Sequence, residues 1–371
     1  MISALLAALL SAAPVLSLTE AQLDAKISEA RRLPFSGRID ALSQLFLGVP
    51  YTDLPLGDGD SGPEPGPLFR TDGVDCQTYV ETVLAMANAR NLDQAKAILD
   101  DIRYADGKPS FQSRNHFTEA QWLPANVRKG YLKDEVPALD RQAPAETLTL
   151  VKSEWTQVPA LKRLTEANIP DGKYQVRYLP LEEARKRSKE IRPGTVLMVV
   201  REHDPNRVVR ISHMGFVVRS DGGLVVRHAS TGKDRAVLDE PFDAFVQRQT
   251  EYKKWKVIGV ALARPLEIGA RHQDMEPVYR RREGPHRPAA GGLEDDGNPR
   301  LLAGRDQELR FHLVLGDDRQ RELAGVERGF RQVFRIAIGR VQEVGHPRLL
   351  RSERLPTCPG RGRRASDLLR A

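Results

Sequence analysis

The chain has 371 residues, of which 40% are hydrophobic, 29% charged and 6% aromatic. This composition is that of a globular protein and excludes collagen-like, mucin-like and wholly disordered chains. The formal net charge of +7 is concentrated towards the C-terminus, where residues 267–371 are rich in arginine and contain no lysine. The main body is close to neutral, so a nucleic-acid partner is not expected. No internal apolar run is long enough to span a bilayer, so no membrane span is expected.

Residues 1–17 are apolar and rich in small side chains, and Val15 and Ser17 fit the small-residue rule for a signal-peptidase site. A basic segment before the apolar run is missing, which leaves a buried first helix as the alternative. We expect a signal peptide over residues 1–17 and export of the mature chain. The chain contains 2 cysteines, Cys76 and Cys358. In an oxidising compartment a lone thiol is a liability unless it has a function.

The next elements in chain order are helical. Apolar residues at three- and four-residue steps predict amphipathic helices within residues 20–47, ended by Gly48 and Pro50. Residues 53–67 are dense in Gly, Pro and Asp and predict a loop. A further helix is predicted within residues 74–91, with a buried stripe, Asp75 as its N-cap and Cys76 in its first turn.

The second half of the main body carries the β signal. Short helical patterns occupy residues 92–102 and 181–190, and a strand is expected within residues 146–152. Strands are then predicted at four segments: 195–200, 211–218, 224–230 and 256–265. Helices followed by antiparallel strands indicate one α+β domain over residues 20–265. Residues 266–371 are expected to form a disordered or weakly folded tail.

Cys76 is the candidate nucleophile. The thiolate is the reactive form of cysteine, and a helix N-terminus lowers the pKa of a thiol because its N–H groups and dipole favour negative charge. The alternative is an inert, buried cysteine.

A nucleophilic cysteine needs an imidazole base, which in turn needs a group to orient it. If Asp221 and Gly222 form a two-residue hairpin loop, Ser220 faces Gly223 and Gly215 faces His228. His213 then lies diagonal to His228 on the same face of the sheet, within side-chain reach. A base and its orienting partner are the favoured interpretation, and two unrelated surface histidines are the alternative. A metal site is a weaker possibility because no acid lies near by with ligand spacing, so no metal or other cofactor is expected.

Five segments together resemble one family: FLGVPY (46–51), DGVDCQTYVE (72–81), RNHFTEAQWLPAN (114–126), ISHMGFVV (211–218) and RHAS (227–230). They are similar to the N-acetylmuramoyl-L-alanine amidase-like branch of the NlpC superfamily, bacterial papain-like cysteine peptidases and amidases that act on peptidoglycan. The resemblance covers about residues 22–265. It implies a papain-like fold in which a catalytic helix packs on an antiparallel sheet. It further implies that Cys76 is the nucleophile, His213 the base and His228 the orienting residue.

The resemblance makes a muropeptide the expected substrate and the bond between N-acetylmuramic acid and L-Ala the expected target, in the periplasm or cell envelope. An endopeptidase that cuts after γ-D-Glu, or a muropeptide-binding protein without catalysis, are the alternatives. Six residues are candidates for contacting substrate: Tyr51, Asp75, His116, Trp122, Asn126 and Ser212. For the first five, packing or capping is an equally good or better explanation. Trp122 in particular could stack on a sugar. The oligomeric state stays open.

Overall fold

The computed structural model describes residues 14–53, 55–56, 68–155, 164–205 and 207–268, all within one compact unit. Residues 1–13 of the expected signal peptide, most of the loop predicted over residues 53–67 and residues 269–371 of the expected tail lie outside this part of the chain. No helix within the described ranges is both long and apolar enough to cross a bilayer.

The first half of the described chain is helical. Its main helices are α1 (Glu20–Ala30), α2 (Phe35–Gln44), α3 (Cys76–Asn88) and α4 (Leu92–Arg103). The helices predicted within residues 20–47, 74–91 and 92–102 are therefore confirmed. The later helices are shorter, and they comprise a π-helical turn (Thr118–Trp122), α5 (Leu123–Lys129), α6 (Val136–Leu139), α7 (Lys152–Trp155), α8 (Leu181–Lys186) and α9 (Phe242–Gln249). Short 3₁₀ turns occupy Val15–Ser17, Glu166–Asn168 and Ser188–Glu190.

Among the described residues, the strands form one antiparallel sheet of seven strands and a separate pair. The strands of the large sheet are β1 (Leu132–Asp134), β4 (Leu179–Pro180), β5 (Thr195–Arg201), β6 (Ile211–Ser220), β7 (Gly223–Ala229), β8 (Val237–Pro241) and β9 (Val257–Pro265). Their order is β1-β9-β5-β6-β7-β8, and the short β4 also pairs with β9. The strand predicted within residues 146–152 is β2 (Ala145–Leu150), which pairs only with β3 (Gly172–Arg177).

Helices cover both faces of the large sheet. On one face, the ring of Tyr79 in α3 packs edge-on against Phe216 of β6, with 5.8 Å between the ring centroids. On the other face, Val217 belongs to a second core cluster together with Phe245 of α9. Because successive residues of a strand point to opposite faces, β6 is buried between α3 and α9. The two layers of helix enclose the central hairpin from both sides.

The β6–β7 hairpin has the predicted register. Ser220 pairs with Gly223 and Phe216 with Arg227, so the loop consists of Asp221 and Gly222 alone. Gly223 has a φ of +119°, a backbone conformation that a side chain would disfavour. The sequence signal for this turn therefore set the pairing of every later residue in the hairpin.

The folded chain extends slightly beyond the predicted boundary at residue 265. The backbone N–H of Leu266 donates to the carbonyl of Tyr131 at 2.9 Å, and the N–H of Ile268 donates to the Asn88 side chain at 3.0 Å. Glu267 forms an ion pair with Arg38 at 2.7 Å. Residues 266–268, which the sequence assigned to the tail, contact the core.

Candidate active site

Cys76 is the first residue of α3, and its side chain is half-buried. The carboxylate of Asp75 accepts a hydrogen bond from the N–H of Thr78 at 2.7 Å, and the Thr78 hydroxyl accepts one from the N–H of Asp75 at 3.0 Å. This reciprocal capping box confirms Asp75 as the N-cap. It also fixes the start of the helix, so the thiol stands at the positive end of the helix dipole.

The segment around Tyr51 connects the start of α3 to the sheet. Tyr51 forms a parallel bridge with Val74, two residues before the cysteine, and its N–H donates to the carbonyl of Arg235 at 2.7 Å. Tyr51 is 6% exposed, and the guanidinium of Arg235 lies 5.2 Å from the centre of its ring. Arg235 lies two residues before β8, so the N-terminus of α3 is tied to the end of the sheet where β7 ends and β8 begins.

His213 and His228 are hydrogen-bonded to each other. Nε2 of His213 lies 2.8 Å from Nδ1 of His228, and the two rings are nearly perpendicular. His228 is buried, whereas His213 is half-exposed. The same-face diagonal contact inferred from the Asp221-Gly222 turn is therefore present in the structure.

Glu240 continues this contact into β8. Its Oε2 lies 3.2 Å from Nε2 of His228, and both of its carboxylate oxygens accept from Arg248 of α9, at 3.0 and 2.7 Å. Sequence reasoning missed Glu240 and Arg248, because the connection from β7 to β8 is too long to set a register. A strand pattern over residues 237–241 was the one signal that could have placed Glu240 beside the hairpin.

The electrostatics of these groups follow from their burial and their bonds. Burial alone would raise the pKa of Glu240, but the hydrogen bonds from His228 and Arg248 and the charge of Arg248 lower it to about 2. Burial lowers the pKa of His228 below its usual value despite the neighbouring carboxylate. At neutral pH Glu240 is therefore ionised and His228 is neutral.

The start of β6 lies at the same end of the sheet as Cys76. The Thr118 hydroxyl donates to the side chain of Gln77 at 3.2 Å. The adjacent Glu119 carboxylate accepts from the backbone N–H of Arg210, the residue that precedes β6. Thr118 and Glu119 thus bridge the first turn of α3 to the strand that carries His213.

The remaining predicted substrate contacts fall into two groups. Trp122 and Asn126 are fully buried, and the Asn126 amide donates to backbone carbonyls of Ile102 and Trp122 at 3.1 and 2.9 Å. The indole of Trp122 belongs to the core and does not face solvent, so the sugar-stacking role suggested by the sequence has no surface to act on. Its burial is a tertiary effect that the local pattern did not show.

His116 and Ser212 keep polar contacts of their own. Nε2 of His116 lies 2.7 Å from the carbonyl of Phe111, and the Ser212 hydroxyl accepts from Nε of Arg201 at 2.9 Å. Ser212 is also the extra residue of a β-bulge, since Val199 pairs with His213 but Val200 pairs with Ile211. Such a bulge re-aims neighbouring side chains at the end of a strand.

The described part of the chain does not bring metal ligands together. Within the described residues, no group of three or more His, Cys, Asp or Glu side chains has the arrangement to hold a metal ion. Nε2 of His213 points at His228 and Nε2 of His228 points at Glu240, so the three side chains form a chain rather than converge on one point.

The fold is that of a mixed α/β protein with a central antiparallel sheet, and it is consistent with an amidase-like fold. The chain belongs to the N-acetylmuramoyl-L-alanine amidase-like family, whose AmiA-like family model matches residues 41–252. This match spans Cys76, both histidines and Glu240. The family indicates a hydrolase that acts on amide bonds of peptidoglycan.

Two solved structures share the fold. A protein from Legionella pneumophila str. Philadelphia 1 is 24% identical, with a TM-score of 0.59, and the match covers 67% of this chain and 94% of that one. An N-acetylmuramoyl-L-alanine amidase from Bacteroides uniformis is also 24% identical, with a TM-score of 0.52 and coverage of 62% and 99%. At this identity the likeness shows the fold alone. No curated protein matches the chain.

Proposed function

We propose that this protein is a cysteine-dependent peptidoglycan amidase with a papain-like, NlpC-type catalytic domain. The observation that carries the proposal is a half-buried cysteine at a capped helix N-terminus, at the same end of the sheet as a bonded histidine pair. Membership of the amidase-like family supplies the substrate class. The resemblance to cell-wall enzymes points to the bond between the lactyl group of N-acetylmuramic acid and L-Ala.

The reaction begins when His213 takes the proton of the Cys76 thiol and the sulfur attacks the lactyl carbonyl carbon. The oxyanion of the tetrahedral intermediate is held by backbone N–H groups in the first turn of α3. Collapse of this intermediate expels the L-Ala amine, which receives the proton from His213, and leaves a thioester. Water then attacks the thioester, His213 accepts its proton, and the acid and the free thiol are released.

The body of α3 packs on the sheet face of Phe216, whereas His213 lies 6.4 Å, ring to ring, from Phe245 on the face of α9. The proposal therefore requires the sulfur to meet the imidazole at the end of the sheet and not across its face. The bulge at Ser212 supports this meeting, because it turns the first residues of β6 relative to the rest of the strand.

The decisive experiment incubates the full chain with defined muropeptides and identifies the products by mass spectrometry. A free sugar with an intact peptide would identify an amidase, and a split peptide would identify an endopeptidase. The absence of any product would identify a binding protein. Cys76→Ala should remove turnover while leaving the fold intact. Cys358→Ala is the matched control, because it removes the other thiol and should leave turnover unchanged. An active Cys76→Ala variant would refute the mechanism.

The two histidines should differ in their effects. Loss of a general base typically costs about 10²–10⁴-fold in rate, so His213→Ala should fall in this range. His228→Ala should cost less, because the base remains but is aligned less often. Equal kcat/KM for His228→Ala and the wild type would show that the observed 2.8 Å contact has no catalytic role.

Export is part of this proposal, since the substrate lies in the periplasm or cell envelope. Val15 lies within the expected signal peptide, yet it is buried and its N–H donates to the carbonyl of Leu45 at 2.7 Å. Cleavage after Ser17 would remove these contacts. N-terminal sequencing of the protein recovered from the periplasm tests the cleavage site directly. A protein that stays in the cytoplasm with residues 1–17 still attached would refute export.

A further inference from the structure

The contacts from His213 to Arg248 form a continuous series of hydrogen bonds. His213 Nε2 meets His228 Nδ1 at 2.8 Å, and His228 Nε2 meets Glu240 Oε2 at 3.2 Å. The guanidinium of Arg248 donates to both carboxylate oxygens of Glu240, at 3.0 and 2.7 Å. Its Nη1 also donates to the Tyr252 hydroxyl at 3.1 Å. Neither the sequence motifs nor the family resemblance included Glu240 or Arg248.

The chemistry of the groups determines which atom carries the proton in each of these hydrogen bonds. An ionised carboxylate can only accept hydrogen bonds, so the proton between His228 and Glu240 must sit on Nε2 of His228. A neutral imidazole carries one N–H, which makes Nδ1 of His228 an acceptor. The proton between the two histidines therefore sits on Nε2 of His213. In neutral His213, Nδ1 is then the nitrogen without a proton.

We propose that Glu240, held in place by Arg248, is a positioning residue that sets the tautomers of both histidines and thereby leaves Nδ1 of His213 to accept the Cys76 proton. The assignment of the tautomers stands on the geometry of the described residues. Only the identity of the proton donor, Cys76, rests on the proposed function.

The surroundings of these hydrogen bonds keep each proton on the atom assigned to it. His228 is 1% exposed, and the ring of Phe245 packs against it with 5.4 Å between centroids, so water does not compete for its nitrogens. The charged groups that act on it are Glu240 and Asp239 from β8 and Arg248 from α9. Asp239 is itself paired with Arg227, at 2.7 Å. Glu240 is thus the one carboxylate that bonds His228 directly within the described residues.

The same carboxylate also favours the imidazolium form of the catalytic pair. When His213 holds the Cys76 proton, its positive charge is stabilised through His228 by the negative charge of Glu240. In serine proteases, a change that gives the base the wrong tautomer lowers kcat by about 10⁴. Glu240 acts one residue further away, so a smaller loss of about 10- to 100-fold in kcat is expected.

The first experiment determines the tautomers directly. The full chain is labelled with ¹⁵N-histidine in a Cys76→Ala background, where no thiol can transfer its proton to His213, and long-range ¹H–¹⁵N spectra are recorded above neutral pH. His213→Ala and His228→Ala assign the two signals. Both residues should carry the proton on Nε2. A spectrum with the proton on Nδ1 of either residue would overturn the proposal, whatever the activity of the enzyme.

The second experiment uses Glu240→Gln with an intact Cys76. The amide is the same size but can also donate to His228, so the Nδ1–H tautomer becomes populated. The variant should lose about 10- to 100-fold in kcat with little change in KM, and the alkaline limb of its pH profile should move to lower pH.

Glu135→Gln is the matched control. Glu135 is also buried and forms an ion pair with an arginine, Arg264, at 3.2 Å, but it lies beside β1, away from the histidines. It should keep the wild-type tautomers and pH profile. Glu240→Gln with wild-type tautomers and kcat would overturn the proposal. If Glu240→Gln does not fold, the tautomers of the Cys76→Ala protein decide. Activity that persists in Cys76→Ala would instead refute the proposed function and leave the tautomer result standing.

Discussion

The buried carboxyl group of Glu119 should make the free energy of unfolding depend on pH. Its side chain is 4% exposed, and one carboxylate oxygen accepts from the backbone N–H of Arg210. The other oxygen has no hydrogen-bond partner among the described residues. Burial raises the pKa of Glu119 from 4.5 to about 7, although the N–H groups of Arg210 and Ile211 oppose the change.

This difference in pKa defines a pH dependence of folding. The unfolded chain releases the Glu119 proton near pH 4.5, whereas the folded chain holds it up to about pH 7. The contribution of Glu119 to the free energy of unfolding is therefore fully present below pH 4.5 and is lost as the pH rises to about 7. The pKa difference corresponds to about 3 kcal/mol.

Glu119→Gln should remove this dependence, because an amide does not ionise. Relative to the wild type, the variant should gain about 3 kcal/mol in free energy of unfolding between about pH 4 and about pH 8. Any constant cost of packing the amide cancels in that comparison. Urea denaturation of both proteins at the two pH values, followed by circular dichroism, measures the gain. Burial also raises the pKa of Asp100 to about 7. Because Asp100 is present in both proteins, its contribution to the pH dependence of stability cancels in the comparison.

Glu135→Gln again serves as the control. Glu135 is paired with Arg264, so loss of its charge should destabilise the protein at about pH 8, the sign opposite to that for Glu119. If Glu119→Gln follows the same pH curve as the wild type, the Glu119 carboxyl is ionised in the folded protein at ordinary pH and the reasoning from its burial is wrong.

Two further predictions concern the hairpin and the chain end. A methyl group at Gly215 would lie 2.7 Å from Cβ of His228, so Gly215→Ala should separate the histidine pair and lower kcat by about tenfold or more. The control is Gly222→Ala, whose methyl group would lie 3.9 Å from its nearest neighbour and should leave kcat unchanged. Equal kinetics for both variants would contradict this. A chain ending at Ile268 should melt at a higher temperature than one ending at Pro265, because the last three residues contact the core; equal Tm values in calorimetry would show that these contacts contribute nothing.

The tertiary structure alone placed the residues that lie far apart in the chain. Glu240 reaches His228 because β8 pairs with β7, and Arg248 reaches Glu240 because α9 folds back on the sheet. The connection between β7 and β8 carries no turn signal that sets its register. Burial of Trp122 and Asn126 is of the same kind, since Trp122 joins the main core cluster and the Asn126 amide donates to the carbonyl of Ile102 in α4.

The sequence by itself determined the features that local chemistry controls. Asp75 followed by a buried stripe is sufficient to start α3 at Cys76, because a side-chain cap and helical periodicity act within one turn. The Asp221-Gly222 turn is sufficient to bring His213 beside His228, because a two-residue loop sets the register of a hairpin. The partners beyond that hairpin depended on long-range packing, which no short segment of the sequence contains.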